Sequence, residues 1–324
     1  MDAMIDKLNK GGHRVYLLTG QKEKKNSYRH VFERYNFSYS DENLLLIVES
    51  IKPDIVVFMG AYDTNFDWSR ERQESVRFTS SLMNLLSACS ILENSRFLYL
   101  SSQEVYGESY DVQESQEVSP KSYKAMAIAQ GEEICRNYRK MKGMDTVCLR
   151  VDGLYHIPEK GCRENDPCFR MCLEALKTGN ISADKSHRFS MIYVNDAVES
   201  IYRAMMEREL KQSCYHISSM EEIDELQLAD FIKEEMGTDI GVTDHTGAEG
   251  RRLILDGNAL KSELGQEIFV HYPEGVRQAA QFMKKQKGSF MGTDGVREGQ
   301  KTLWDRVKST LGSLAPYIEN LVCF

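Results

Sequence analysis

Ser102 and Glu104, in the run SSQEVYG (Ser101–Gly107), and Tyr123, in SPKSYKAMAIAQGEE (Ser119–Glu133), have the side chains needed for proton transfer. A hydroxyl can hold a substrate oxygen while a phenol or a carboxylate takes or returns its proton. A tyrosine does this at neutral pH only when a nearby ammonium lowers its pKa; left alone it titrates at about 10 and stays protonated. Lys124 is next to Tyr123 in sequence, and on a helix it projects about 100° away, too far round to act on the phenol. Gln103 carries no exchangeable acid proton, and Glu104 reads most simply as a solvated carboxylate at the end of a strand.

These residues must be positioned by the elements around them. HRVYLLTG, DIVVFMGA, RFLYLSS and DTVCLRVDGLY are short apolar runs rich in β-branched and aromatic residues, as buried parallel strands are. Between them lie helical patterns: SDENLLLIVESIKP, a long one at about Glu74 to Leu92, and another at about Ala125 to Lys142. Such alternation predicts an α/β fold, a Rossmann-like parallel sheet with helices on both faces. From Gly153 the rhythm loosens into a smaller mixed lobe, so the expected boundaries are 1–152 and 153–285, with some later segments returning to the sheet. Residues 286–300 read as a glycine-rich linker, and 301–324 as an amphipathic helix, the lead-in to a further module that could include a membrane segment.

The 324 residues carry 41 basic and 49 acidic side chains, a net charge of −8 that argues against a nucleic-acid or anionic-membrane surface. No secretory signal and no run of roughly 20 apolar residues is present, which points to a cytoplasmic protein tethered to a membrane only through a C-terminal continuation. The eight cysteines then read as reduced thiols. Cys162, Cys168 and Cys172 cluster, but without the tight Cys-x2-Cys pairs or nearby histidines of a metal site, so no metal is expected.

Six segments in order, DIVVFMGA, SSQEVYG, LRVDGLYHIPE, HRFSMIYVNDAVESI, CYHISSMEEIDELQLADFI and RRLILDGNALKSELG, resemble the extended short-chain dehydrogenase/reductases, the NAD-dependent epimerase/dehydratase family that acts on nucleotide sugars. The resemblance covers roughly residues 1–285. It implies an NAD(P) site built on a glycine-rich turn between the first strand and first helix, where backbone and helix dipole meet the pyrophosphate. Here MDAMIDKLNKGGHRVYLLTG resembles the later part of helix one and strand two; strand one and its turn are absent from that place. Strand two runs on into Thr19-Gly20-Gln21 where the resemblance implies an acidic residue on the ribose. Ser38, Phe58 and Phe78 stand where it implies Asp, His and Asn.

The resemblance also implies a catalytic Ser or Thr, a Tyr, and a Lys four residues after the Tyr. Ser102 fits the first position. If Tyr123 is the tyrosine, Ala127 stands for the lysine; if the register is set by QGEE, Lys124 replaces the tyrosine and Ile128 the lysine. Dehydratase relatives carry Thr-Asp-Glu, here Ser102-Gln103-Glu104, so Glu104 is retained without its acid partner. Arg188 and either Arg251 or Arg252 are the matches for arginines that bind a diphosphate, and Asp196 and Asp256 read as helix-capping or fold-supporting.

The reading that follows is a degenerate, non-catalytic domain with no bound cofactor, serving ligand sensing or protein interaction, in polysaccharide synthesis by architectural analogy. One alternative is a working NAD(P)-dependent nucleotide-sugar epimerase or reductase with more chain before Met1. Another is an assembly domain of a larger membrane-associated protein. A homodimer would use the two long helices, with Met83, Leu86, Ile134 and Tyr138 facing a partner or the core. A sheet without its central strand would leave buried backbone groups unpaired, at about 1–3 kcal/mol each. Three remedies follow: strand two closes against the next strand, another segment or partner fills the gap, or the missing strand precedes this chain.

Overall fold

The structure, a computed structural model, describes residues 2–19, 31–36, 43–63, 66–107, 111–156, 166–237, 239–244, 252–266, 269–285 and 320–323. The chain starts with helix α1 (Asp2–Lys10), strands β1 (Arg14–Thr19) and β2 (Glu33–Asn36), helix α2 (Asn43–Ile51) and strand β3 (Ile55–Phe58). Helix α3 (Glu71–Cys89), β4 (Arg96–Ser102), the short β5 (Asp111–Val112), α4 (Tyr123–Lys142) and β6 (Asp145–Val151) follow. Every residue of β3 and β4 is buried, as expected for parallel strands covered on both faces.

The second half adds β7 (Gly153–Tyr155), α5 (Pro167–Thr178), β8 (Asn180–Ala183), β9 (Arg188–Phe189), β10 (Met191–Tyr193) and α6 (Val194–Met206). Then come β11 (Cys214–Ile217), β12 (Ile223–Asp224), α7 (Glu225–Met236), β13 (Gly241–Asp244) and β14 (Arg252–Leu255). Helices α8 (Asn258–Leu264) and α9 (Tyr272–Lys285) precede a final strand, β15 (Asn320–Cys323).

Seven strands form the main sheet in the order β11-β6-β4-β3-β15-β1-β2, and every neighbouring pair is parallel. One apolar core under α2, α3 and α4 lies on one face of it, and a second under α1 and α6 lies on the other. A third core joins α5, α7 and α9 in the smaller lobe. A late segment, β11, lies in the main sheet beside β6.

The C-terminal expectation is corrected. Asn320–Cys323 is not the end of an amphipathic helix but a strand, and it lies between β1 and β3. Leu321, Val322 and Cys323 are an apolar run of the kind a central parallel strand needs, and pairing on both edges outweighs any helical preference of so short a segment. Among the described residues, β15 occupies the place between β1 and β3. Residues 301–319 lie outside the described residues.

Local chemistry explains the helix that carries the site. The Ser122 side chain accepts from the N–H of Ala125 at 3.1 Å and starts α4; Gly143, at φ 68°, ends it by donating to the Arg139 carbonyl. Gly131 lies where α4 crosses β4, and a Cβ there would overlap the Tyr99 hydroxyl. That hydroxyl donates to the Ile128 carbonyl at 2.8 Å, so it cannot swing away freely. Gly131→Ala is therefore expected to lower stability by about 1–3 kcal/mol in urea unfolding, although alanine is the better helix former.

Two further expectations were placed on the helices. Of the residues suggested for a partner or the core, Met83 is 48% exposed, Ile134 and Tyr138 are half-buried, and Leu86 is fully buried in the core. Cys168 and Cys172, one turn apart on α5, are buried in the lobe core; Cys162 lies outside the described residues.

Candidate functional site

The carboxyl ends of β4, β6 and β11 converge on one edge of the sheet, the edge at which open α/β sheets bind ligands. Ser102 ends β4, is 6% exposed, and accepts from the Glu104 N–H at 3.2 Å, which opens a 3-10 turn over Gln103–Tyr106. The Glu104 carboxylate leaves that turn and meets the Lys124 ammonium at 2.6 Å.

That ion pair and the burial of Glu132 against Arg150 bear on the register left open by the sequence. Lys124, not Tyr123, turns toward β4; the Tyr123 side chain is 49% exposed, and its carbonyl accepts from Ser75 on α3. Eight residues after Lys124, Glu132 faces inward to Arg150 on β6, with Oε2 2.7 Å and Oε1 2.9 Å from the guanidinium. Glu132 Oε1 also accepts from Ser101 Oγ at 2.5 Å. With QGEE fixed in this way, Lys124 holds the tyrosine position of the resemblance and Ile128 the lysine position. Ile128 is fully buried, as is Ala127, the lysine position of the other register.

Two titratable groups that the sequence reading did not single out complete this edge. Asp152 follows β6 and is 2% exposed; it accepts from the Gly153 N–H at 2.9 Å and from Ser218 Oγ at 2.8 Å. The Gln103 amide, oriented with its donor toward Asp152, gives a further hydrogen bond of 2.7 Å. Burial pushes the Asp152 carboxyl up to about 6, against the lowering effect of these donors. His216, on β11 and 1% exposed, donates from Nδ1 to the Asp256 carbonyl at 2.9 Å and accepts at Nε2 from the Tyr106 hydroxyl at 2.6 Å. Burial, with the Arg150 charge adding to it, lowers the imidazole to about 4, so it is neutral.

The arginines are brought together but are already partnered. Arg188 on β9 and Arg252 on β14 are register neighbours. Arg188 reaches Asp224 at 2.6 Å and the Lys185 carbonyl at 2.7 Å; Arg252 reaches Glu222 at 2.7 Å and Asp111 at 2.5 Å. Counted back from Asp196, the arginine of the family pattern Arg-Asp-Phe-Ile-His-Val-x-Asp falls on the buried Phe189, not on Arg188. Arg188 is one residue out of place, and along a strand one residue reverses the face. Arg251 lies outside the described residues. Asp196 accepts from the Val270 N–H at 2.7 Å and Asp256 from the Asn258 N–H at 3.0 Å, so both support the backbone.

The positions that the resemblance gives to His and Asn have become packing residues. Phe58 and Phe78 touch edge to face with centroids 5.4 Å apart, inside an aromatic cluster with Phe66, Trp68 and Tyr99. Thr19's side chain, Gly20, Gln21 and Ser38 lie outside the described residues.

Residues 2–217 match the family described as NAD dependent epimerase/dehydratase family. The chain belongs to that family. No curated protein matches it in sequence. Among solved structures it is similar to a UDP-glucose 4-epimerase from Thermotoga maritima with UDP-glucose: TM-score 0.74, 21% identity, 88% of this chain and 95% of that one covered. It is similar also to the Thermus thermophilus UDP-glucose 4-epimerase in complex with NAD, with TM-score 0.72, 19% identity, and 87% and 95% covered. A UDP-glucuronic acid 4-epimerase from Bacillus cereus, in complex with UDP-glucuronic acid and NAD, gives TM-score 0.69, 17% identity, and 88% and 95% covered. At these identities the likeness is one of fold.

Proposed function

We propose that this chain is a non-catalytic member of the epimerase/dehydratase family, an interaction or ligand-sensing domain in nucleotide-sugar metabolism such as polysaccharide synthesis. The observation that carries the reading is the Lys124–Glu104 ion pair at 2.6 Å, with fully buried Ile128 one turn along α4. An ammonium cannot replace a phenolate as the base that accepts a sugar hydroxyl proton while it is itself protonated and salt-bridged. Isoleucine cannot lower the pKa of any group beside it.

The Phe58–Phe78 contact, in place of the polar groups that the resemblance implies beside the dinucleotide, supports this reading. The partnered arginines argue the same way for the diphosphate of a sugar nucleotide, since each would have to exchange a carboxylate for a phosphate. A second reading, a working NAD(P)-dependent nucleotide-sugar epimerase or reductase, is favoured by Ser102 and by the full seven-stranded sheet.

Calorimetric titration separates them. The non-catalytic reading expects no heat of binding for NAD or NADH in the micromolar range, and saturable micromolar binding would overturn it. UDP-glucose binding that is lost in Arg252→Ala would make the domain a sensor; no binding would leave protein interaction as its role.

A further inference from the structure

We infer that Cys148 and Cys214 are a dithiol that hydrogen peroxide closes to a disulfide, locking β11 to β6 and so fixing one wall of the site. The two residues are register partners on these neighbouring parallel strands. Adjacent strands run about 4.8 Å apart, inside the roughly 4.4–6.8 Å over which two Cα atoms can carry a disulfide. Both side chains lie on the α4 face of the sheet: Cys148 belongs to the core under α4, and Cys214 packs against that core.

A small oxidant has a way in. Cys148 and Cys214 line a cavity between α4, β6 and β11, with Arg136 and Ser213 in its other walls and room for about one water molecule. Hydrogen peroxide is close to that size; a bulky disulfide such as oxidised glutathione is not. Cys214 is half-buried and is the thiol that peroxide meets, whereas Cys148 is 6% exposed. A third thiol, Cys135 on α4, touches Cys148 but is fully buried and is not among the cavity's walls.

The Cys214 thiolate attacks one peroxide oxygen, the O–O bond breaks, and the departing hydroxide takes up the thiol's proton as water, leaving a sulfenic acid. The Cys148 sulfur then attacks Cys214 sulfur, the S–O bond breaks, and a second water leaves with the Cys148 proton. Two thiols have lost two electrons to one peroxide. Burial holds the Cys214 thiol well above its ordinary value, against the opposing charge of Arg150, so the reaction is slow at neutral pH and quickens as pH rises. Among the described residues β11 is an outer strand of the main sheet and pairs only with β6. It carries His216, bonded to Tyr106, and leads into Ser218, which donates to Asp152. A covalent link two residues before His216 ties that wall to the inner strand.

Peroxide treatment of the full, unaltered chain, then alkylation in denaturant and peptide mapping by mass spectrometry, is the test. A Cys148–Cys214 link that dithiothreitol reverses is expected, and its initial rate should rise about tenfold from pH 7 to pH 8, as the thiolate fraction does. Hydrogen exchange over residues 214–217 should slow about tenfold on oxidation and recover on reduction. Cys214→Ser should leave Cys148 free for alkylation after the same treatment. Cys214 still free in the unaltered chain, or a Cys135–Cys148 link in place of the expected one, would overturn the proposal. Oxidised glutathione closing the pair as fast as peroxide would overturn the cavity as the route.

Discussion

Glu132→Ala is expected to lower folding stability by about 3–5 kcal/mol, read as a reduced midpoint in urea unfolding. The Glu132 and Arg150 side chains are 5% and 4% exposed, so removing the carboxylate leaves a guanidinium with neither water nor counter-charge. Two of its bonds, at 2.7 and 2.9 Å, are lost, and so is the acceptor for Ser101 Oγ. Arg150 also donates to the Tyr106 hydroxyl, so the disturbance reaches His216. Removing both charges tells a different story. Glu132→Leu with Arg150→Met should recover most of the loss, because a packed apolar pair avoids the desolvation that the ion pair only offsets. A loss below about 1 kcal/mol for Glu132→Ala would mean that the pair is solvated and that the register of α4 is not held by it.

Asp152→Asn is expected to make stability fall more steeply than in the parent as pH is lowered from 6.5 to 4. Asp152 has its folded pKa raised to about 6, so the folded state holds a proton that the unfolded state releases; its contribution is present at low pH and is lost as pH rises from about 4 to about 6. His216 has its folded pKa lowered to about 4, so its contribution is present above the unfolded value near 6.5 and is lost as pH falls toward about 4. Over pH 4–6 the two slopes oppose each other, and each shift of about two units corresponds to about 3 kcal/mol. In the Asp152→Asn protein the histidine acts alone. Its stability relative to the parent should therefore fall by about 3 kcal/mol between pH 6.5 and pH 4, measured by urea unfolding at each pH. A difference that does not change with pH would mean that Asp152 is ionised throughout.

Much of this architecture could be read from residue patterns, because buried parallel strands leave unbroken apolar runs and capped helices leave 3.6-residue periodicity. RFLYLSS and DTVCLRV became β4 and β6 for that reason. The catalytic register could not be settled that way: Tyr123 and Lys124 differ by one helical step, and only the burial of Glu132 against Arg150 on another element distinguishes them. Asp152 escaped notice because nothing local marks a carboxyl whose partners, Ser218 and Gln103, come from two other strand ends. Arg188 was misplaced by one residue, since a motif match does not register the two-residue period that sends Phe189 inward. β15 was hidden most completely. Three apolar residues are equally consistent with a helix end, and the partners β1 and β3 lie in the first part of the chain.

On the proposed reading, this member of the family keeps the fold of an epimerase without its proton-transfer pair. Mixing the protein at high concentration with NAD and UDP-glucose, and in parallel with UDP-glucuronic acid, and watching for the absorbance of reduced nicotinamide tests it most directly. Over hours, no reduced nicotinamide should appear and the sugar should be recovered unchanged, with Lys124 paired to Glu104 and Ile128 beside it. Reduced nicotinamide in amounts stoichiometric with the protein, or an epimerised sugar, would contradict it.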